Sequence, residues 1–410
     1  AGYFLHHHAE TRLGLAYRFN DKTVVRAGLG ISYEPFPDNT YAYNFPVRQN
    51  NAFNQLNGFT PALLPNGQPA SMAAGFPAPT PAVIPSNGVI SPAVLSQNYD
   101  VVNLNFREGY VESWNFAVQR ALPKSFTFEA AYVGNHGVAI PTRYNLNSGR
   151  VLGAGANGQP LFQQFRRTAA TTVNFVGTSS HYHSLQVKFD RRFSGGFLLT
   201  TAYTWSKATG ITDEDGEFAY YINPRRSYSR LSHSRPSTFV QSYIYELPCG
   251  KGKSYLTSGP ASWVLGGWQL SGILTLMSGV PLNFGYSNAA LGAPGNAQSP
   301  NITGPVKILH GIDNAFWFDT SNFSAPPAAT FGNLGRFVSG GPAFFNLDAS
   351  LFKKVSVTER LGVEIRAESF SVTNTPQFNN PDTGLGNANF GKVKGAGGAR
   401  GIQLGAKLTF

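Results

Sequence analysis

The chain has 410 residues, a formal net charge of +11, one cysteine, 45 glycines, and equal aromatic and charged fractions of 13%. That charged fraction is about half of the quarter usual in soluble domains, and no apolar run approaches the roughly 20 residues of a membrane helix. Cys249 alone forms no internal disulfide, and the Lys and Arg residues fall singly rather than in a stripe, which argues against a nucleic-acid surface and suits a basic lumen or an anionic cell surface.

Period-2 alternation then runs through the chain, the mark of strands with two different faces. Leu13, Leu15, Tyr17 and Phe19 alternate with Arg12, Gly14, Ala16 and Arg18. After Asn20-Asp21-Lys22, Val25, Ala27, Leu29, Ile31 and Tyr33 oppose Arg26, Gly28, Gly30 and Ser32. Trp114, Phe116 and Val118 lead to the turn Pro123-Lys124-Ser125, beyond which Phe126, Phe128, Ala130 and Tyr132 face away from Thr127 and Glu129. Leu185, Val187 and Phe189 oppose Gln186, Lys188 and Asp190, and Ser194-Gly195-Gly196 leads into Leu199, Thr201, Tyr203 and Trp205. Further strands carry Tyr243, Tyr245 and Leu247; Trp268, Leu270, Leu274 and Leu276; and Leu347, Ala349 and Leu351. Thr358-Glu359-Arg360 connects to Val363, Ile365 and Ala367, which oppose Glu364, Arg366 and Glu368. The last strand alternates Ile402, Leu404, Ala406, Leu408 and Phe410 with Gly401, Gln403, Gly405, Lys407 and Thr409.

This gives about eleven strands on a count of alternating segments. Charges on one face of so many strands would ruin a dry sandwich core, whereas a wet lumen tolerates them. The connections alternate in length, short near 20–22, 123–125, 194–196 and 358–360, long near 36–109, 138–180, 211–236, 286–343 and 379–399. Short turns on one side and long loops on the other are the asymmetry of an outer-membrane barrel. Counting back from Phe410 puts every short turn on the periplasmic side, with one longer periplasmic connection from about Pro248 to Gly266. Phe19, Phe126, Phe193, Phe197 and Phe410 below, and Tyr33, Tyr182 and Trp205 above, are the expected interfacial girdles. The fold class is therefore all-β, an antiparallel transmembrane β-barrel. An odd count beginning on a downward stroke makes these eleven strands the C-terminal half of a 22-stranded barrel, the size whose lumen holds a plug. Alternation is established by Thr11 with no leader before it, so the chain is expected to lack its own N-terminus.

Candidate sites follow from this layout. Asp213, Glu214, Asp215 and Glu217 form the one acidic cluster, in a long loop ahead of Tyr220, Tyr221, Arg225 and Arg226; it reads as a solvated turn rather than a Ca²⁺ site, since the spacing of an EF-hand is lacking, or with the aromatic and arginine side chains as a set of ligand contacts at the mouth. Arg12, Arg18, Arg26, Lys188, Glu364, Arg366 and Glu368 point into the lumen, toward a plug or a path. Gln403, Gly405, Leu408 and Phe410 form the terminal barrel-assembly signal, to be read by the assembly machinery. His6-His7-His8 and the pair His181/His183 read as structural rather than metal-binding. Gly153-Ala154-Gly155-Ala156-Asn157-Gly158 matches a dinucleotide fingerprint in letters but lacks its strand and helix. No nucleophile elbow, HExxH motif or cysteine pair is present, and neither an enzyme nor a cofactor is expected.

Several segments resemble the Oar-like TonB-dependent receptors: Trp114-Asn115 with Gln119-Arg120 and Leu122-Pro123, Tyr132-Val133-Gly134-Asn135, Tyr203-Thr204-Trp205-Ser206-Lys207, Tyr245-Glu246-Leu247-Pro248, Gly266-Gly267-Trp268-Gln269-Leu270, Arg366-Ala367-Glu368, and Pro376-Gln377-Phe378. Cys249 departs from the pattern, standing where an aromatic is typical, as does Ser232-His233-Ser234-Arg235-Pro236. The resemblance implies a 22-stranded barrel with an N-terminal plug, a TonB box and often a carboxypeptidase-regulatory-like domain, none of which lies within residues 1–410. It implies energised uptake through the TonB–ExbB–ExbD system, with outer-membrane lipid, lipopolysaccharide and an unidentified extracellular ligand as further partners. The competing readings are a surface structural or adhesive barrel and a soluble secreted all-β protein.

Overall fold

The computed structural model describes residues 10–34, 42, 60–64, 67–73, 86, 98–104, 106–212, 216–356, 358 and 361–410. Its main sheet follows one path of eleven antiparallel strands, each paired with the next along the chain. They are β1 (Arg12–Asn20), β2 (Thr23–Tyr33), β3 (Tyr110–Leu122), β4 (Phe126–Asn145), β5 (Thr171–Ser194), β6 (Phe197–Gly210), β7 (Ser237–Glu246), β8 (Trp268–Met277), β9 (Phe344–Ser356), β10 (Gly362–Phe370) and β11 (Gly401–Thr409). Eleven strands were expected and eleven form the wall, as an arc with β1 and β11 at its edges. Among the described residues no helix is long and apolar enough to cross a membrane.

Residues paired across a ladder share a face, so the register sorts the wall into two sides. One row reads Leu15, Ala27, Phe116, Tyr132, Leu185 and Trp205 across six strands. Another reads Phe197, Tyr245, Leu270, Leu351, Ala367 and Leu404 across six strands from β6, which both rows share, to β11. One position away, the opposite face reads Ile244, Ser271, Ser350, Glu368 and Gln403. The outer face keeps large apolar side chains in the open, Phe116 at 51% and Leu404 at 77% exposure among them. A water-soluble sheet would bury such a row; a lipid-facing wall presents it.

The tight turns have the geometry that hairpins require. Gly195 and Gly196 both take positive φ, 58° and 80°, and close the two-residue loop between β5 and β6. Lys124 and Ser125 take the same left-handed conformation at φ 58° and 63°, although each carries a Cβ. The turn expected at Thr358-Glu359-Arg360 lies partly outside the described residues, but β9 and β10 pair down to Ser356 opposite Gly362.

Two expectations need correction. The region 138–180 is not all loop: β4 continues to Asn145 and β5 begins at Thr171, the two pairing through a register shift beyond Gly137. Thr171-Thr172-Val173-Asn174-Phe175-Val176 is rich in β-branched residues, which favour strand, so the hairpin outruns the 9–11 or so residues needed to cross the membrane. A short strand, Tyr99–Val102, pairs in parallel with its upper part, held by an Arg143–Asp100 ion pair of 2.6 Å. Tyr182, assigned to the upper girdle, pairs with Asn135 and Ala208 and so shares the lumen face. Tyr33 and Trp205 do lie on the outer face, as their alternation with Leu29 and Leu185 requires.

Apart from Ala117 and Ala208 in the wall, the tightly buried apolar residues described lie in the loops. Leu282, Phe284, Trp317, Phe318, Phe323, Leu334, Phe390 and Val393 form one cluster from the connections β8–β9 and β10–β11. Rings of Phe284, Phe318, Phe323 and Phe390 pack with centroids 5.0–5.5 Å apart. Three small ladders pin these loops: Pro281–Leu282 with Ser339–Gly340, Asn301–Ile302 with Phe323–Ser324, and Gln377–Phe378 with Ala396–Gly397.

Candidate ligand-facing cap and lumen

The long connections at the extracellular end fold together into a cap. Its centre is a set of buried amides that replace regular secondary structure by satisfying loop backbone one group at a time. Asn147, fully buried, donates to the carbonyls of Arg167 and Ala169, each at 2.9 Å, and accepts from the Leu161 amide at 3.0 Å. Gln159 donates to the Asn147 and Thr168 carbonyls. Asn296, from the β8–β9 loop, accepts from the amides of Tyr221 and Ile222 at 2.8 and 3.2 Å and donates to the Gly149 carbonyl. Three loops distant in sequence are thus tied at one asparagine.

The loop residues singled out in the sequence take different positions in this cap. Asp213, Glu214 and Asp215 lie outside the described residues. Tyr220 and Tyr221 are buried, as aromatic side chains with a polar tip can be when the hydroxyl finds a partner. The Tyr221 hydroxyl donates to Glu217 Oε1 at 2.7 Å and accepts from the Asn145 amide at 3.1 Å. Burial, with the bond to Glu217, pushes the Tyr221 phenol well above its ordinary pKa. Arg226 lies over the rings of Tyr220 and Phe331 and donates to Gly332 O and, at 3.3 Å, to Ser299 Oγ. Arg150 similarly covers Tyr144 and Tyr221. Glu217 and Arg225 are at the surface. The cluster therefore divides into side chains that build the loop and side chains that meet solvent, a division that composition does not reveal.

On the lumen side, the register places Arg12, Arg18, Arg26, Lys188, Glu364, Arg366 and Glu368 on the face opposite the apolar rows. They form short charge ladders. Arg26 donates to Gln119 Oε1 at 2.9 Å and lies 3.6 Å from Glu129, which pairs across the ladder with Lys188. Glu364 bonds Arg366 and lies 3.5 Å from Lys354, with Lys407 opposite in the register. Arg18 pairs with Asp21 in the lower turn at 2.8 Å, and Arg12 with Glu10 at 3.0 Å. Glu129, Lys354 and Asp348 share this face although they were not among the expected lumen contacts, Asp348 accepting from the Ser371 amide at 2.8 Å. Their own alternation marked them as inward, but only the register pairs them with partners.

His181 and His183 lie on the outer face, not in the lumen. His181 stacks on His136 at 4.3 Å, His136 meets Glu112 at 3.2 Å, and His183 bonds the Tyr132 hydroxyl at 2.7 Å. Among the described residues, no group of three or more His, Cys, Asp or Glu side chains is arranged to hold a metal ion. The His6-His7-His8 run lies outside the described residues. Gln403, Gly405 and Leu408 sit on β11, paired with Glu368, Arg366 and Val363, and Phe410 follows it, 98% exposed.

No curated protein matches the chain. Solved structures that resemble it include the outer membrane transporter YddB from Escherichia coli, with TM-score 0.45, 10% identity, and 95% of this chain and 39% of that one covered. They also include the ferripyoverdine receptor of the outer membrane of Pseudomonas aeruginosa, with TM-score 0.43, 8% identity and coverage of 98% and 32%. BauA, the ferric preacinetobactin receptor from Acinetobacter baumannii, gives 0.43, 10%, 98% and 36%. The chain spans well under half the length of each. Residues 6–403 match the family model described as outer membrane beta barrel domain. With that match and a wall that is apolar outside and charged inside, the chain belongs to the outer membrane beta barrel domain family, and its place is the outer membrane of a Gram-negative bacterium.

Proposed function

We propose that this chain is the C-terminal half of the barrel of an Oar-like TonB-dependent receptor, forming wall and mouth for energised uptake of an extracellular ligand. The observation that carries the reading is the arc itself. Among the described residues the eleven strands end in two unpaired edges, β1 and β11, and an open sheet edge is not sustained in hydrocarbon because its backbone groups find no partners there. Further strands of the same barrel are the natural cover, and a barrel of that size encloses a lumen wide enough for a plug. Arg12, Arg18, Arg26, Lys188, Glu364, Arg366 and Glu368 then meet the plug or line the path. Glu217 and Arg225, with Asp213, Glu214 and Asp215 from the same loop, are the proposed ligand contacts, on the frame built by Tyr220, Tyr221 and Arg226. Energy reaches the plug from the TonB–ExbB–ExbD complex, and the terminal segment around Gln403, Gly405, Leu408 and Phe410 directs assembly. The chain's own chemistry is binding and passage, with no catalytic step.

The test compares a receptor-dependent growth or uptake phenotype in cells with and without TonB, alongside adherence of the same cells. Loss of uptake on loss of TonB, with adherence intact, supports the reading. Uptake unchanged by loss of TonB, with adherence lost when the receptor is deleted, replaces it with a surface adhesion barrel.

A further inference from the structure

The longer periplasmic connection foreseen between Pro248 and Gly266 is a folded object. Backbone pairing of Cys249 with Tyr255 closes a tight loop, the Gly250 amide donating to the Tyr255 carbonyl at 3.0 Å and the Tyr255 amide to the Pro248 carbonyl at 2.9 Å. A short helix, Gly259–Leu265, follows. Gly266 packs against Gly250 so closely that a Cβ on Gly266 would lie 2.7 Å from the Gly250 Cα and 2.3 Å from the Ser262 carbonyl. Loop and helix are thus wedged together by two glycines.

The helix is fastened to the outside of the wall. Lys353 stands on the outer face of β9, opposite Trp268 of β8 and Ile365 of β10. A lysine on the outer face there needs hydrogen-bond partners that lipid does not supply. Its ammonium instead donates to the carbonyls of Trp263 and Val264, at 2.6 and 2.9 Å, and lies 5.4 Å from the ring centres of both Trp263 and Trp268. Trp268 Nε1 donates to the same Val264 carbonyl at 2.9 Å. These are carbonyls of the helix's last turn, which have no partner within the helix and which favour a cation. Lys353 is left only 9% exposed, while Trp263, Val264 and Leu265 are 69%, 52% and 50% exposed.

We propose that this connection is a membrane-interface foot, with Trp263, Val264 and Leu265 seated in the phospholipid leaflet on the periplasmic side of the outer membrane. Continuity identifies the occupant: the helix bonds to Trp268 and Lys353, which stand on the lipid-facing side of the wall at the level of the lower strand ends. Tyr255 and Leu256, exposed in the same connection, extend the apolar patch. Tryptophan with aliphatic neighbours suits the headgroup–acyl boundary. Lys251 and Lys253, the latter paired with Glu246 at 2.6 Å, add positive charge where anionic headgroups lie. Lys353 acts as the tether. The inference needs only the membrane wall, not the uptake reading.

The receptor carrying this chain, with Cys249→Ser, is labelled with an environment-sensitive fluorophore at Val264→Cys or, as control, at Lys251→Cys, in phosphatidylethanolamine–phosphatidylglycerol vesicles. The label at 264 should lie about 5–10 Å into the boundary, quenched by lipids spin-labelled high on the acyl chain and shielded from iodide, with the label at 251 open to iodide. Adding Lys353→Met should release the foot and expose position 264 to iodide, folding being checked by heat-modified gel mobility. Equal iodide access at 264 and 251 overturns the foot, and protection from both quenchers overturns it in favour of a protein partner. Unchanged lipid quenching in folded Lys353→Met overturns the tether.

Discussion

Replacing Phe116 by arginine should destabilise the barrel far more than the same replacement at Asn115, its neighbour in sequence. Phe116 is at the centre of the 13-residue β3, 51% exposed on the outer face between Ala27 and Tyr132. An arginine at the bilayer midplane costs about 2–4 kcal/mol, falling to about 0–1 kcal/mol near the interfaces. Asn115 lies between Gly28 and Val133 on the lumen face, where an added charge meets water or other polar groups and the change should stay within about 0.5 kcal/mol. At 1.4 kcal/mol per tenfold, the outer substitution shifts the unfolding constant by roughly thirty- to a thousandfold. Phe116→Leu separates loss of the ring from gain of the charge. Urea unfolding of the reconstituted protein, followed by tryptophan fluorescence and gel mobility, provides the measurement. Equal costs at 115 and 116, or a larger one at 115, would reverse the assignment of faces and refute the membrane wall.

Three further outcomes follow from the same geometry. Lys124→Asn combined with Ser125→Gly should raise the urea midpoint, since the left-handed conformation costs an ordinary residue about 1–2 kcal/mol and both positions hold it. Asn147→Ala leaves the Leu161 amide and the Arg167 and Ala169 carbonyls without their partner, at about 1–3 kcal/mol for each buried group left unmade; hydrogen exchange should quicken over residues 146–170 while the wall keeps its protection. The Tyr221 phenol titrates above its ordinary value of 10.0, so the folded loop keeps a proton that the opened loop releases. Its stabilisation is complete below that value and declines as pH rises beyond it, and limited proteolysis of the loops should accelerate there, with less pH dependence in Tyr221→Phe.

Much of the wall was legible because a lipid-facing strand writes its environment into every second residue. Leu13 to Phe19, Phe126 to Tyr132, and Ile402 to Leu408 each named their face without help from a neighbour. Register was not legible from a single strand, and so the charge ladder from Arg26 through Glu129 to Lys188 emerged only when the four strands β2 to β5 were set side by side. Tyr182 shows the same limit in reverse: position near a long loop suggested a girdle, while its parity with Gln186 and Lys188 already placed it inside. The upper part of the β4–β5 hairpin was hidden because Gly137 and Pro141 read as loop, whereas the structure absorbs them in a register shift.

The loops were opaque for a different reason. A strand's partners are set by alternation, but a loop's backbone is satisfied by whichever side chain reaches it. Asn147 and Asn296 look like ordinary turn residues in sequence; their work is done on amides and carbonyls up to 147 positions away. Tyr220 and Tyr221 looked like ligand contacts for the same reason that makes them good loop staples, a broad ring with one polar tip. Lys353 brings the two cases together. On alternation with Leu347, Ala349 and Leu351 it is an error, a charge turned toward lipid. It is tolerated because a connection some 90 residues earlier supplies two carbonyls to its ammonium. A break in an otherwise strict pattern therefore marks the place where another segment must be packed against the wall. Conversely, removing that segment should leave the Lys353 ammonium on the outer face without the two carbonyls that hold it.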